Sequence, residues 1–93
     1  MFDLNNLQKI SKLANAAPEA MKGFEALDKA ALAEGAISKK NKELIALAVA
    51  LTTQCGYCLE VHRKAAIEAG ATEEEMAEAT FIAVALLAGA ALT

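Results

Sequence analysis

Glu43-Leu-Ile-Ala-Leu-Ala-Val-Ala-Leu-Thr-Thr-Gln-Cys55-Gly-Tyr-Cys58-Leu-Glu-Val-His62 is the stretch whose reading decides the fold. Between Leu44 and Leu51 apolar residues occupy nearly every side of a helix, which places it inside a core or between subunits. Ser38 offers its N-cap, and the helix reaches about Gln54. Cys55-Gly56-Tyr57 marks a break, after which a further helix runs to Ala69 with Gly70 as its stop. Downstream, Thr72 followed by Glu75 forms a capping box for a last helix ending near Ala91. Glu73, Glu74 and Glu75 in its first turn complement the helix dipole. Upstream, Asp3 to about Ala16 is weakly amphipathic, with Leu4, Leu7, Ile10 and Ala14 at helical spacing. Pro18 suits the first turn of a second helix carrying Met21, Phe24, Leu27 and Ala31, and Gly35 is placed as its left-handed terminator. The expectation is an all-α bundle of about five helices, one domain over residues 1–93.

Composition narrows the class. The chain has 93 residues, 56% hydrophobic and about a quarter alanine, with no Trp, one Tyr and three Phe. Alanine on that scale favours helix over strand, and the hydrophobicity excludes disorder. A small domain buries only about 60–65% of its unfolded surface. Helices apolar all round at Leu44–Leu51 and Phe81–Leu92 cannot both be enclosed by three others, so self-association is expected. Net charge is −3, and the one basic cluster, Lys39-Lys40-Asn41-Lys42, reads as solvated surface, with no nucleic acid as partner. Met1-Phe2-Asp3-Leu4 has no signal-peptide character. The uncharged runs Leu44–Leu59 and Ala79–Thr93 span 16 and 15 residues. Both fall short of the ~20 that cross a bilayer, so no membrane role is expected and the location is read as cytoplasmic.

Within eight residues the chain places its two cysteines and its single histidine. A cysteine at a helix N-terminus is biased towards thiolate, the reactive form. Cys58 and His62 are four apart and share a helical face. An imidazole is suited to take a thiol proton near neutral pH and return it. Spacing therefore favours Cys58 as the activated thiol, while exposure would favour Cys55. Other readings are weighed beside this one. Cysteines are often inert small hydrophobes in a core. A structural disulfide over so short a loop stabilises little. A c-type haem site needs His where Leu59 stands. Zinc on Cys55, Cys58 and His62 lacks a second Cys or His pair in the chain. Glu43 lies about 18 Å from Cys55 along a straight helix. If the chain reverses at Gly56, Glu43 meets His62 directly or through a water; otherwise it complements its own helix dipole. Glu60, Arg63 and Lys64 read as a wet face, and Tyr57 as packing or a gate.

Lys42-Glu43-Leu-Ile-Ala-Leu-Ala-Val-Ala, Cys55-Gly-Tyr-Cys58-Leu-Glu-Val-His62, and Ala69-Gly70-Ala71-Thr72-Glu73-Glu74-Glu75 resemble the AhpD-like core of the carboxymuconolactone decarboxylase superfamily. The likeness covers about residues 37–91 and reproduces Glu, eleven residues, Cys-x-x-Cys, three residues, His without gaps. It implies an all-helical fold assembled as a homo-oligomer, as trimers, hexamers or larger rings. It also implies reduction of organic hydroperoxides, with Cys55 and Cys58 as redox pair and Glu43 and His62 as proton relay. No cofactor and no metal are implied; the partners are a hydroperoxide substrate and an external dithiol reductant protein. The decarboxylase branch generally lacks the cysteine pair, so a lyase is the alternative, with a disulfide reductase or a non-catalytic metal-binding assembly subunit beside it. Two departures stand out. Family members often carry a Gly-Gly-Pro-like turn where this chain reads Ala88-Gly89-Ala90, and some have a second His where Tyr57 stands.

Overall fold

The computed structural model describes residues 5–53 and 55–93, and among these every regular element is a helix. The order is α1 (Asn5–Ala16), α2 (Pro18–Leu32), α3 (Lys39–Thr53), α4 (Gly56–Glu68) and α5 (Glu73–Leu92). The expected positions of Asp3 and Leu4 in α1 and of Gln54 in α3 fall outside the described residues, as does the side chain of Leu7. α3 is the centre of the bundle: α4 folds back against it, α5 packs beside it, and the α1–α2 hairpin attaches at its start.

Local signals place most boundaries where the sequence puts them. The Ser38 hydroxyl accepts the Asn41 amide at 3.1 Å and opens α3. At the end of α4, Gly70 adopts φ +96, a conformation that favours glycine. Its amide donates to the Ile67 carbonyl, and that of Ala71 reaches back to Ala66, which closes the helix in a Schellman arrangement. Thr72 and Glu75 make the reciprocal capping box, at 3.1 and 2.9 Å.

One boundary differs. α2 stops at Leu32, and its cap residue Ala33 is extended, so Gly35 terminates nothing. Nor is Gly35 left-handed, Gly70 being the glycine with positive φ among the described residues. The physical reason lies seven to nine residues downstream. Lys39 Nζ donates to the Leu32 carbonyl at 3.0 Å and Lys42 Nζ to that of Ala33 at 2.7 Å. These ammonium groups satisfy terminal carbonyls that a glycine turn would otherwise serve. The basic cluster is thus part of the fold rather than a free solvated face, and Lys40 also pairs with Glu75 of α5 at 2.8 Å.

Among the described residues the buried stripe of α3 is Glu43, Leu47 and Ala50, joined in the core by Ala66 of α4 and Ala79 and Ala83 of α5. Four of these five apolar residues are alanines, so the helices approach closely and bury little bulk. Much apolar surface stays uncovered, including Phe24 and Leu27 on α2, Ile45 and Val49 on α3, and Phe81, Leu86 and Leu92 on α5. The chain exposes 6806 Å². A compact monomer of this mass exposes about 5,100 Å². At 20 residues α5 is long and apolar enough, by length and composition, to cross a membrane, longer than its uncharged run alone suggests. Its first turns nevertheless carry Glu73, Glu74, Glu75 and Glu78.

Candidate functional site

The reversal between α3 and α4 brings the chemistry together. Cys55 is the N-cap of α4, and its Sγ accepts the Cys58 amide at 3.2 Å. Cys58 therefore stands in the first turn, at the positive end of the helix dipole. The two cysteines are joined as a disulfide. One turn further along α4, His62 faces α3.

Its partner there is Glu43. His62 Nδ1 lies 2.8 Å from Glu43 Oε2, so the contact is direct and needs no bridging water. Glu43 is 2% exposed, and its second oxygen accepts Lys39 Nζ at 2.9 Å. Burial alone would push the Glu43 carboxyl up, but the hydrogen bonds from His62 and Lys39, reinforced by their charges, hold it below its ordinary value of 4.5. An ionised carboxylate only accepts, so Nδ1 carries a hydrogen, and in the neutral imidazole Nε2 is the acceptor. The first-turn reading of Glu43 as a dipole partner does not hold: the carboxylate turns inward onto α4.

The depressed carboxyl has a consequence for acid stability. A group whose folded pKa lies below its unfolded one stabilises fully above the unfolded value and loses that contribution as pH falls through the folded one. Glu43→Gln is expected to remove this part of the acid slope, leaving that of Glu75, whose carboxyl is also lowered, by Lys40 and the Thr72 amide. Urea unfolding midpoints followed from about pH 7 to about pH 3 check this. A decline parallel to that of the parent protein would contradict the assignment.

Cys58 and His62 open onto a cleft of about 460 Å³ between α2, α3 and the start of α4. Its walls are mainly apolar: Ala31 and Leu32 from α2, then Ile37, Ile45, Val49 and Ala50. Asp28 and Lys42 supply its charged groups. Cys55 is not among the lining residues, which separates the two cysteines by environment as well as by position. Glu60, Arg63 and Lys64 are exposed on the far side of α4, as their spacing predicts. Tyr57 is half-buried beside the disulfide. Among the described residues, no three His, Cys, Asp or Glu side chains converge as a metal site.

The structure joins Glu43 to His62 across the α3–α4 pair and Cys55 to Cys58 at its reversal, and Cys58 and His62 line one cleft. Lys39 and the α2 wall of the cleft were not singled out from the sequence. For Lys39 a signal existed, since Lys and Glu four apart face each other on a helix.

Comparison with known proteins gives consistent results. The model of the carboxymuconolactone decarboxylase family matches residues 18–93. A solved protein of that family from Legionella pneumophila superposes with a TM-score of 0.80 at 38% identity, covering 88% of this chain and 73% of its own. A solved protein from Methanobacterium thermoautotrophicum gives 0.80 at 34% identity, covering 86% and 90%. Among curated proteins, "Uncharacterized protein 4 in cox locus" of Paracoccus denitrificans is 50% identical over 68 residues. That match takes in 73% of this chain but 61% of the relative, so the chain spans about three fifths of that protein's length.

Proposed function

Because the chain belongs to the carboxymuconolactone decarboxylase family, whose members include enzymes, we propose that it is a thiol-dependent peroxidase of AhpD type. One observation carries the reading: a Cys55–Cys58 pair whose second member shares a cleft with an imidazole held by a buried carboxylate. In the reduced protein, His62 Nε2 takes the proton of Cys58, and Glu43 stabilises the resulting imidazolium. The thiolate attacks one peroxide oxygen and the O–O bond breaks. The other oxygen leaves as an alcohol, protonated by His62, and Cys58 becomes a sulfenic acid. The Cys55 thiol then displaces water to form the disulfide, and an external dithiol protein returns two electrons and two protons. The apolar walls suit a hydroperoxide with a hydrocarbon body. The cycle needs an external reductant at each turn, and with it the proposal places the protein in the cytoplasm, where thiols are kept reduced.

Self-association belongs to the same proposal. The surface in excess of a compact monomer is about 1,700 Å², ample for a standard interface that takes about 800 Å² from each partner. The exposed apolar residues of α5 and the adjoining Ile45 and Val49 are where it concentrates. Subunits meeting there would form a homo-oligomer around the clefts.

Mass spectrometry of the reduced protein before and after one equivalent of an organic hydroperoxide tests the cycle. The expected result is a loss of two hydrogens per chain, reversed by a dithiol. An unchanged mass would overturn the reading. A lyase of decarboxylase type is the second reading, favoured by the family's own description. Turnover of a lactone acid that survives loss of both cysteines but not of His62 would establish it instead.

A further inference from the structure

The carboxylate of Glu43 has two oxygens and His62 uses one of them. The other is taken by an ammonium group that the peroxidase cycle does not mention. Lys39 Nζ stands 2.9 Å from Glu43 Oε1 and 3.0 Å from the carbonyl of Leu32, the last residue of α2. Its third hydrogen is free for solvent at a side chain 43% exposed. The ammonium therefore joins the end of one cleft wall to the buried side of the proton relay. We propose that Lys39 is a positioning residue of the Glu43–His62 pair, holding Oε1 against the α2 terminus so that Oε2 stays committed to His62.

The proposal rests on the reading of His62 as the base for Cys58. Burial of Glu43 favours its protonated form, and two hydrogen bonds oppose that. Without Lys39, one oxygen of a nearly inaccessible carboxylate loses its partner, and no other described side chain donates to it. The freed oxygen can then compete for His62 Nδ1, the one donor left, and Oε2 is no longer held on it. An imidazole less firmly held stabilises its protonated form less, so the Cys58 thiolate is lost at a higher pH. Among the described residues no other charged group takes the place of Lys39, and Glu34, ahead of α3, accepts the Lys39 backbone amide. On α4 the facing group is His62 itself. On α5, Glu75 is engaged by Lys40, and Glu78 lines the groove between α3 and α5. On α2, Asp28 lies on the cleft wall. On α3, Lys42 is directed to the Ala33 carbonyl.

Lys40 provides the control. It stands beside Lys39 at the start of α3, pairs with Glu75 of α5 at 2.8 Å and does not line the cleft. Loss of a lysine tie from this end of α3 would thus be reproduced by Lys40→Met, whereas an effect on the Glu43 carboxylate would not.

The test uses the Cys55→Ser protein, in which Cys58 is the one thiol and serine can keep the α4 cap. The rate of Cys58 alkylation by iodoacetamide is measured against pH. Lys39→Met is expected to move the acid limb up by about half a unit, less than the effect of a directly adjacent charge because Lys39 acts through Glu43 and His62. Lys39→Arg restores the parent profile, and Lys40→Met leaves it in place. A Lys39→Met profile superimposed on the parent, or an equal shift from Lys40→Met, overturns the proposal. Alkylation needs no peroxide. A chain that fails to lose two hydrogens to hydroperoxide would strike the peroxidase reading alone, while an unmoved profile strikes the role of Lys39 alone.

Discussion

Cys58→Ser is expected to abolish peroxide turnover, and Cys55→Ser to halt it after one oxidation per chain. The two variants differ because the cysteines occupy different surroundings. Cys58 lines the cleft with His62, whereas Cys55 caps α4 and lies outside the lining. Serine at 58 leaves an alcohol, far too weak an acid for His62 to ionise, in place of the nucleophile. Loss of an essential nucleophile costs on the order of 10⁴-fold or more. Serine at 55 keeps a cap oxygen for the Cys58 amide, so attack proceeds once. No thiol is then available to displace water from the sulfenic acid. One equivalent of alcohol should appear, followed by arrest, with Cys58 carrying one added oxygen. Rapid-quench measurement of alcohol per chain distinguishes these cases. A burst from Cys58→Ser with none from Cys55→Ser would exchange the roles, and full turnover by both would end the dithiol cycle as an explanation.

His62→Gln is expected to lower kcat/KM for a hydroperoxide by roughly 10²- to 10⁴-fold, the range for a lost general acid–base group. Glutamine keeps polarity and much of the reach, but its amide cannot take a thiol proton. It can still donate to Glu43, so the buried carboxylate retains a partner and the fold is spared an unpaired charge. The loss should shrink as pH rises, because a thiol ionised by bulk hydroxide no longer needs the imidazole. Steady-state rates across the neutral and alkaline range test both points. A variant with parental activity near pH 7 would remove His62 from the mechanism.

Several features of this architecture are visible in the residues themselves because their causes are local. Ser38, Gly70 and the Thr72–Glu75 box act within a turn of where they stand, and each appears at its expected place. The Glu43–His62 meeting is legible for a different reason. It depends on one reversal, at the break around Gly56, and on the arithmetic of helical rise on either side of it. The end of α2 is not legible in this way. Its carbonyls are satisfied by Lys39 and Lys42 from the following helix, and nothing local to Gly35 reveals that the turn is made by side chains arriving from elsewhere. The same lysines look like solvated surface in isolation, since their acceptors are backbone carbonyls and a carboxylate that only tertiary folding brings near. The cleft is hidden for a similar reason: its α2 wall comes from a helix with no buried residue, which no pattern of burial would mark.

Because the core is built largely from alanine, its sequence has little freedom to drift. Ala50, Ala66, Ala79 and Ala83 are the buried small residues where α3, α4 and α5 come together. A methylene or two added at Ala66, which has no exposed surface, has to be accommodated by parting α4 from its neighbours. His62 travels with α4, while Glu43 stays on α3. A displacement of about half an ångström is already a large fraction of what a 2.8 Å hydrogen bond tolerates. Side chains with no chemistry of their own thereby set the reach between base and carboxylate, and inheritance of the site requires inheritance of their smallness.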